Sequence, residues 1–158
     1  MMKLTISQAT IDDFQEVNAI VKEGHDEHAE ALPHIFKKVD YVMPASYFQE
    51  LLEDSNCEIL VAKEEKEVVG FAVMELKQSP PFESMAPRNY AYMNDFGVKS
   101  TQQRSGIGKL LFQACVDWSK KNGAVELELT VWEFNRKAIG FYENLGMNTV
   151  SRKMSLNL

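Results

Sequence analysis

The residues with the clearest chemical spacing lie between Asp95 and Leu111, where an apolar strand end, a short polar turn and Gly106-Ile107-Gly108 run into a helical apolar period. The first turn of a helix carries backbone N–H groups without intrahelical partners and the positive end of the helix dipole, so an anion seated there is both bonded and attracted. Glycines at 106 and 108 let a bulky pyrophosphate approach the backbone with no Cβ in the way. The stretch reads as a strand, a phosphate-holding loop and a helix N-terminus; the plainer alternative is a glycine-rich connection with no ligand. It is not a nucleotide-triphosphate loop, which needs Gly-x-x-x-x-Gly-Lys-Ser/Thr. Nor is it a dinucleotide fingerprint, because Lys109-Leu110-Leu111 follows where a third glycine belongs.

The pattern that does fit is Gln/Arg-x-x-Gly-x-Gly/Ala, filled by Gln103, Gly106 and Gly108 after a strand ending at Val98. This resembles the acyl-CoA pyrophosphate loop of the GNAT superfamily of N-acetyltransferases. A second stretch, from Asn135 to Met147, is similar to that family's other signature, Asn-x-x-Ala-x-x-x-Tyr-x-x-x-Gly-Phe, with Asn135, Ala138, Tyr142 and Gly146 in place and Met147 where phenylalanine is usual. Two matches in the right order, separated by one strand, are more specific than either alone. They span residues 95 to 147.

The resemblance implies a direct transfer from acetyl-CoA, as co-substrate and without a metal, to a primary amine of a small molecule or peptide. It implies a cofactor-binding set of Gln103, Arg104, Ser105, Gly106, Ile107, Gly108 and Lys109, joined by Asn135 and Phe141. The backbone of Phe96, Gly97 and Val98 would pair with the pantetheine amides where this strand splays from its parallel neighbour. Tyr142 would protonate the leaving thiolate, although at helical spacing it also reads as a core aromatic. On the acceptor side the resemblance points to His28, which with Pro33 lies between the first helices, and to Tyr92 as a wall residue. The loop departs from the family pattern at Ser100, Gln102 and Arg104, where proline, an aromatic and glycine are usual.

The chemistry explains the need for a carboxylate. An amine with a pKa near ~10 must lose its proton before it attacks a thioester. Asp95, with Glu75 and Glu128 behind it, is the candidate base, and a backbone N–H in the splayed gap is the candidate oxyanion donor. His25, Asp26 and His28 match no strong zinc spacing. They read equally as polar residues on a solvated helix.

The elements that must position these groups follow from apolar periodicity. Ile107, Leu110, Leu111, Ala114, Cys115 and Trp118 predict a helix closed by Lys120, Lys121 and Gly123. Upstream, Lys3–Ala9 alternates as a strand, and Thr10-Ile11-Asp12-Asp13 caps a helix that uses Phe14, Val17, Ile20 and Val21 and ends near Gly24. A short helix over 44–54 starts at Pro44. Two strands over 57–63 and 68–76 form a hairpin, the second almost unbroken in apolar residues and so central. The Pro-rich loop 78–88 is expected to overhang the acceptor side. Strand 89–98 feeds the phosphate loop, and Val125–Val131 alternates strictly, so a parallel pair with a right-handed crossover is expected. A last strand near Thr149–Leu156 is placed to pair across a homodimer.

Composition bounds the rest. With 158 residues and no proline- or glycine-rich linker, the chain reads as one GNAT-like domain over 1–158. The fold expected is α/β, a mixed, twisted central sheet of six or seven strands with helices on both faces. Neither a signal peptide nor an apolar run of membrane-spanning length is seen. The two cysteines read as reduced core residues, which suits a cytoplasmic protein. Residues 1–98 hold 8 Lys+Arg against 18 Asp+Glu, net −10, and residues 99–158 hold 9 against 5, net +4. The acidic part argues against nucleic acid and suits an amine; the basic part suits an anionic cofactor. Two other readings stand beside the small-amine enzyme. One is a non-catalytic acyl-CoA-binding or regulatory module, and the other an acetyltransferase for protein N-termini or lysines.

Overall fold

The computed structural model describes residues 3–158. Strand β1 (Leu4–Gln8) leads through a 3-10 turn, Ile11–Asp13, into α1 (Phe14–Ala31). Then come α2 (Ala45–Glu53), β2 (Cys57–Glu64), β3 (Glu67–Gln78), β4 (Asn89–Val98), α3 (Ile107–Lys121), β5 (Leu127–Leu129) and α4 (Arg136–Asn144). The five strands form one sheet in the order β1-β2-β3-β4-β5. Its first three pairings are antiparallel and the last is parallel, with α3 as the crossover.

The period-two pattern of β2 and β3 splits the core in two. Ile59, Val61, Phe71 and Val73 face α1 and α2, where they meet Val17, Ile20, Phe48 and Leu51. Leu60, Ala62, Ala72 and Met74 face α3, where they meet Ile107, Leu111, Phe112 and Cys115. Both faces of the central strands are thus buried, as the unbroken apolar run of β3 requires. The β2–β3 turn is Glu65-Lys66, with φ of 48° and 74°, the left-handed pair that a two-residue hairpin demands.

Several expectations need correcting. The sheet has five strands among the described residues rather than six or seven, because β5 pairs over three residues only and the last segment, 148–158, lies outside every helix and strand and is exposed. Helix α1 runs through Gly24 to Ala31. The Lys22–Asp26 ion pair at 2.9 Å bridges the glycine, and the helix stops only where Leu32 precedes Pro33. The buried stripe of α3 is rotated from the expected one: Leu110 is 55% exposed, while Phe112 is buried. The loop after β3 does not overhang the site. Ser79 N–H donates to the Arg88 carbonyl at 3.1 Å and Arg88 pairs with Glu126 and Glu128 at 3.1 and 2.9 Å. These contacts hold the loop at the start of β4, roughly 20 Å of strand rise from Asp95.

Candidate active site

A single irregularity in β4 opens the site. Met74 pairs with Met93 and Val73 with Asp95, so Asn94 is a bulge with no partner. On the other edge, pairing with β5 stops at Met93 opposite Leu129. From Asn94 to Val98 the β4 backbone therefore has no neighbour on that side. The gap is a cleft of about 910 Å³, walled by Met93–Val98, by Leu129–Trp132 and by α4, with the start of α3 at one end and α1 at the other. Unpaired N–H and C=O groups along such an edge are obligatory hydrogen-bonding positions for whatever enters.

Close packing behind the gap fixes its position. A Cβ on Gly97 would stand 2.9 Å from Phe71 Cε1 and 3.0 Å from Ile20 Cγ2, so only glycine lets α1 press this near β4. Gly97→Ala should cost about 1–3 kcal/mol through overpacking. In a thermal melt that is a fall in Tm of roughly 2–4 °C for each kcal/mol.

The phosphate end is built from the start of α3. Gly106 sits at the helix N-cap with φ +89°, and the first turn has neither a side-chain cap nor an acidic residue, which leaves its N–H groups free toward the cleft. Arg104 takes φ +65°, a left-handed conformation that explains glycine as the usual residue there. Arg104, Lys109, Arg136 and Lys137 line the same space and concentrate positive charge. Gln103 ties the two sides together: its Nε2 donates to the Val98 carbonyl at 3.2 Å, and its Oε1 accepts from Lys137. Glu23 of α1 accepts from Ser100 N–H at 3.2 Å and from its hydroxyl, which pins the turn after β4. The two glycines have different reasons. Gly106 is favoured by its φ, whereas Gly108 gives room to Phe141, which a Cβ would approach at 3.2 Å and press back by a few tenths of an ångström. Asn135 caps α4 by accepting Ala138 N–H at 3.1 Å.

At the other end stand Asp95, Tyr142 and an aromatic wall. Asp95 accepts the Phe96 N–H at 2.9 Å. Burial pushes its carboxyl up to about 6, with the Phe96 N–H and the His28 charge pulling the other way. Tyr142 packs among Phe96, Phe112 and Phe141, with centroids 6.3, 6.2 and 5.3 Å away. Burial first, then the Asp95 charge and Cys115, drives its phenol well above the ordinary value, so it stays protonated. The His28 Nδ1–H donates to the Gly24 carbonyl at 2.7 Å. Its ring stands edge-on to Phe36 at 5.5 Å and to Phe134 at 5.1 Å, and Phe36 meets Trp132 at 5.5 Å.

Of the residues singled out in the sequence, Asp95, Phe96, Gly97, Val98, Gln103, Arg104, Gly106, Gly108, Lys109, Asn135, Phe141, Tyr142 and His28 come together on this cleft. Ser105, Ile107 and Tyr92 do not line it. Ile107 is buried in the core under α3. The Ser105 hydroxyl donates to the Gln102 carbonyl, and Tyr92 is hydrogen-bonded to Thr130, which is itself on the cleft. Glu75 and Glu128 also lie off it, engaged with Asn94 and Arg88. Phe36, Trp132, Glu23, Arg136 and Lys137 line the cleft without having been foreseen. For Trp132 and Phe36 the only signal was a large aromatic in an otherwise polar stretch.

A parallel strand pair that parts around a bulge, with a basic helix N-terminus at its mouth, is an α/β cleft suited to an extended anionic ligand. The match to known proteins makes the class specific: residues 21–147 fit the model of the acetyltransferase (GNAT) family, and the chain belongs to it. A Bacillus subtilis protein named uncharacterized N-acetyltransferase YhfO is 32% identical over 101 residues, 64% of this chain and 65% of that protein. The L-ornithine N5-acetyltransferase NATA1 of Arabidopsis thaliana is 30% identical over 109 residues, 69% of this chain and 43% of that protein. The matches thus span under two thirds of either relative. The crystal structure of a mutant BH1408 protein from Bacillus halodurans superposes with a TM-score of 0.95 at 30% identity, covering 98% of this chain and 99% of that one. Among the described residues no group of three or more His, Cys, Asp or Glu side chains could hold a metal ion, and no helix is long and apolar enough to cross a membrane.

Proposed function

We propose that the chain, acting as one domain in the cytoplasm, transfers an acetyl group from acetyl-CoA directly to a primary amine of a small molecule. The observation that carries this is the arrangement of the cleft. A cationic anchor lies at one end, a desolvated carboxylate and a protonated phenol at the other, and an unpaired strand edge runs between them. The L-ornithine acetyltransferase among the relatives acts on such an amine by its name.

In this reading the α3 N-terminus with Arg104, Lys109, Arg136 and Lys137 holds the pyrophosphate, and β4 from Phe96 to Val98 hydrogen-bonds the pantetheine arm. Asp95 takes the proton from the acceptor ammonium, directly or through a water. The freed nitrogen attacks the thioester carbonyl, and a β4 N–H in the gap supports the oxyanion. As the C–S bond breaks, the Tyr142 hydroxyl gives its proton to the departing sulfur, and the phenolate left behind takes the second proton that the nitrogen sheds on becoming an amide, so that Asp95 alone ends the turnover with a proton to release. An acyl-enzyme on cysteine is disfavoured. Cys57 and Cys115 lie off the cleft, and burial holds their thiols protonated, up to about 11 and about 12.

A small amine is favoured over a protein N-terminus or lysine because the His28–Phe134 and Phe36–Trp132 contacts join the two walls at the acceptor end. A peptide would have to part them. Thiol release from acetyl-CoA should be measured across polyamines, diamino acids, aminoglycosides and N-terminal peptides. Turnover of a small amine is the expected result. Turnover of peptides alone would replace the acceptor class, and tight CoA binding with no amine acetylated would sink the catalytic reading.

A further inference from the structure

We propose that His25 is a positioning residue for the amine. Its ring N–H holds the segment that follows α1, so that Phe36 stands as a wall of the acceptor end; the inference rests on the acetyl-transfer reading of the cleft. His25 Nε2 is 2.5 Å from the Lys37 carbonyl oxygen. A carbonyl only accepts, so that nitrogen carries a proton and donates it. His25 and His28 stand one turn apart on the same face of α1. Both rings are edge-on to Phe36, at 5.7 and 5.5 Å, and Phe36 reaches Trp132 across the cleft at 5.5 Å.

Little else fixes this segment. Residues 32–44 lie outside every helix and strand. At the start, the Ile35 and Phe36 N–H groups donate to the Leu32 carbonyl, both at 3.0 Å. At the end, the Met43 N–H donates to the buried Asn18 side chain at 3.1 Å. Between them, over 37–42, the His25 bond is the only hydrogen bond to the backbone among the described residues. The other tie, Lys38 to Glu30 at 3.3 Å, joins two exposed side chains and is worth little in water.

Packing does not replace the bond. Behind Phe36, a hollow of about 570 Å³ is bordered by Ala29, Pro33, Lys37, Lys38 and Val39. Phe36 thus borders two open spaces, the cleft and this hollow, and the anchor on the next residue decides which one its ring closes. His25 commits its donor to Lys37 and its ring to Phe36, while Asp95 and Tyr142 are held by β4 and α4. Losing the anchor should therefore lower the fraction of molecules with the wall in place, which weakens amine binding and leaves the chemical step alone.

Two variants part the donor from the ring. His25→Phe keeps an aromatic edge against Phe36 and loses the N–H; His25→Gln loses the ring and keeps an amide donor of similar reach. They are compared with whichever of spermidine, L-lysine and sisomicin the wild type acetylates fastest. His25→Phe should raise KM for that amine about three- to tenfold, the range one net hydrogen bond supplies. Its kcat and its KM for acetyl-CoA should stay within about twofold of wild type, and His25→Gln should restore the amine KM. Limited trypsin digestion read by mass spectrometry needs no substrate. Cleavage after Lys37 and Lys38 should run about fivefold faster in His25→Phe than in wild type or His25→Gln, with Tm close to wild type. A KM raised by glutamine and spared by phenylalanine would overturn the proposal, since the ring would then touch the amine directly. Equal trypsin cleavage in all three proteins would overturn it too, as would a lower kcat with KM unchanged. If the wild type acetylates none of the amines, the acetyl-transfer reading fails and the role toward the amine falls with it, while the trypsin rates still show whether His25 holds the segment.

Discussion

Asp95→Asn is expected to lower kcat/KM for the amine by about 10²- to 10⁴-fold at neutral pH, the range general-base catalysis supplies. Asparagine keeps the size of the side chain and its carbonyl can still accept the Phe96 N–H, but it takes up no proton. The pH dependence separates this from a packing defect. The base works deprotonated, and burial places its carboxyl at about 6. The wild-type rate should therefore rise as pH increases through about 6 and level above it, before any limb from the amine itself. In the asparagine variant the inflection near 6 should vanish while the residual rate tracks free amine alone. A steady-state pH profile from 5 to 9 reads both. Loss of rate with the inflection intact would move the base elsewhere. Glu75 and Glu128 are poor substitutes, since neither lines the cleft and each already has a partner.

Desolvation and attraction act against each other at this carboxylate, and the balance is what makes it useful. An exposed aspartate would be too weak a base to deprotonate an ammonium efficiently. Full burial with no partner would keep it protonated and useless. The Phe96 N–H and the His28 ring hold Asp95 between those limits. The geometry that achieves this traces back to Asn94: without the bulge, the side chain at position 95 would point to the opposite face of the sheet.

The bulge also shows why the sequence could be read only so far. Strands β2 and β3 and helix α3 were legible because each has a clean apolar period and clear stop signals. The phosphate loop was legible because Gly106 is favoured by its φ and stands in a recognisable spacing. Asn94 carries no such signal, since one extra residue in a strand looks like any other until the partner register is known. Leu110 falls outside the buried face because α3 buries a Leu111-Cys115-Ser119 ridge with Ile107 and Phe112 beside it. Several hydrophobic stripes fit the same helix, and only the facing sheet selects one. Gly24 does not stop α1, since glycine lowers helix propensity by only about 1 kcal/mol. The aromatic wall was hidden because Phe36 and Trp132 are nearly a hundred positions apart and meet only across the cleft.

Tyr142→Phe carries the other large effect and distinguishes two roles that coincide in one ring. As a packing group, Tyr142 is held by Phe96, Phe112 and Phe141, and phenylalanine preserves those contacts, so Tm and the KM for acetyl-CoA should stay close to wild type. As an acid it supplies the proton that the departing sulfur needs. Its removal should lower kcat by about 10²-fold, the low end of general-acid effects because a thiolate leaves more readily than an alkoxide. The phenol is held above its ordinary value by burial and by Asp95, so it remains protonated across the assay range. The loss should accordingly be uniform from pH 5 to 9 and leave the inflection near 6 untouched, unlike the Asp95 variant. A double variant tests whether the two act as a unit: groups coupled in one transition state should cost less together than the product of their separate effects, whereas independent proton transfers should cost the full product. An unchanged kcat in the phenylalanine variant would reduce Tyr142 to a core aromatic, leaving the thiolate to depart without help from the protein.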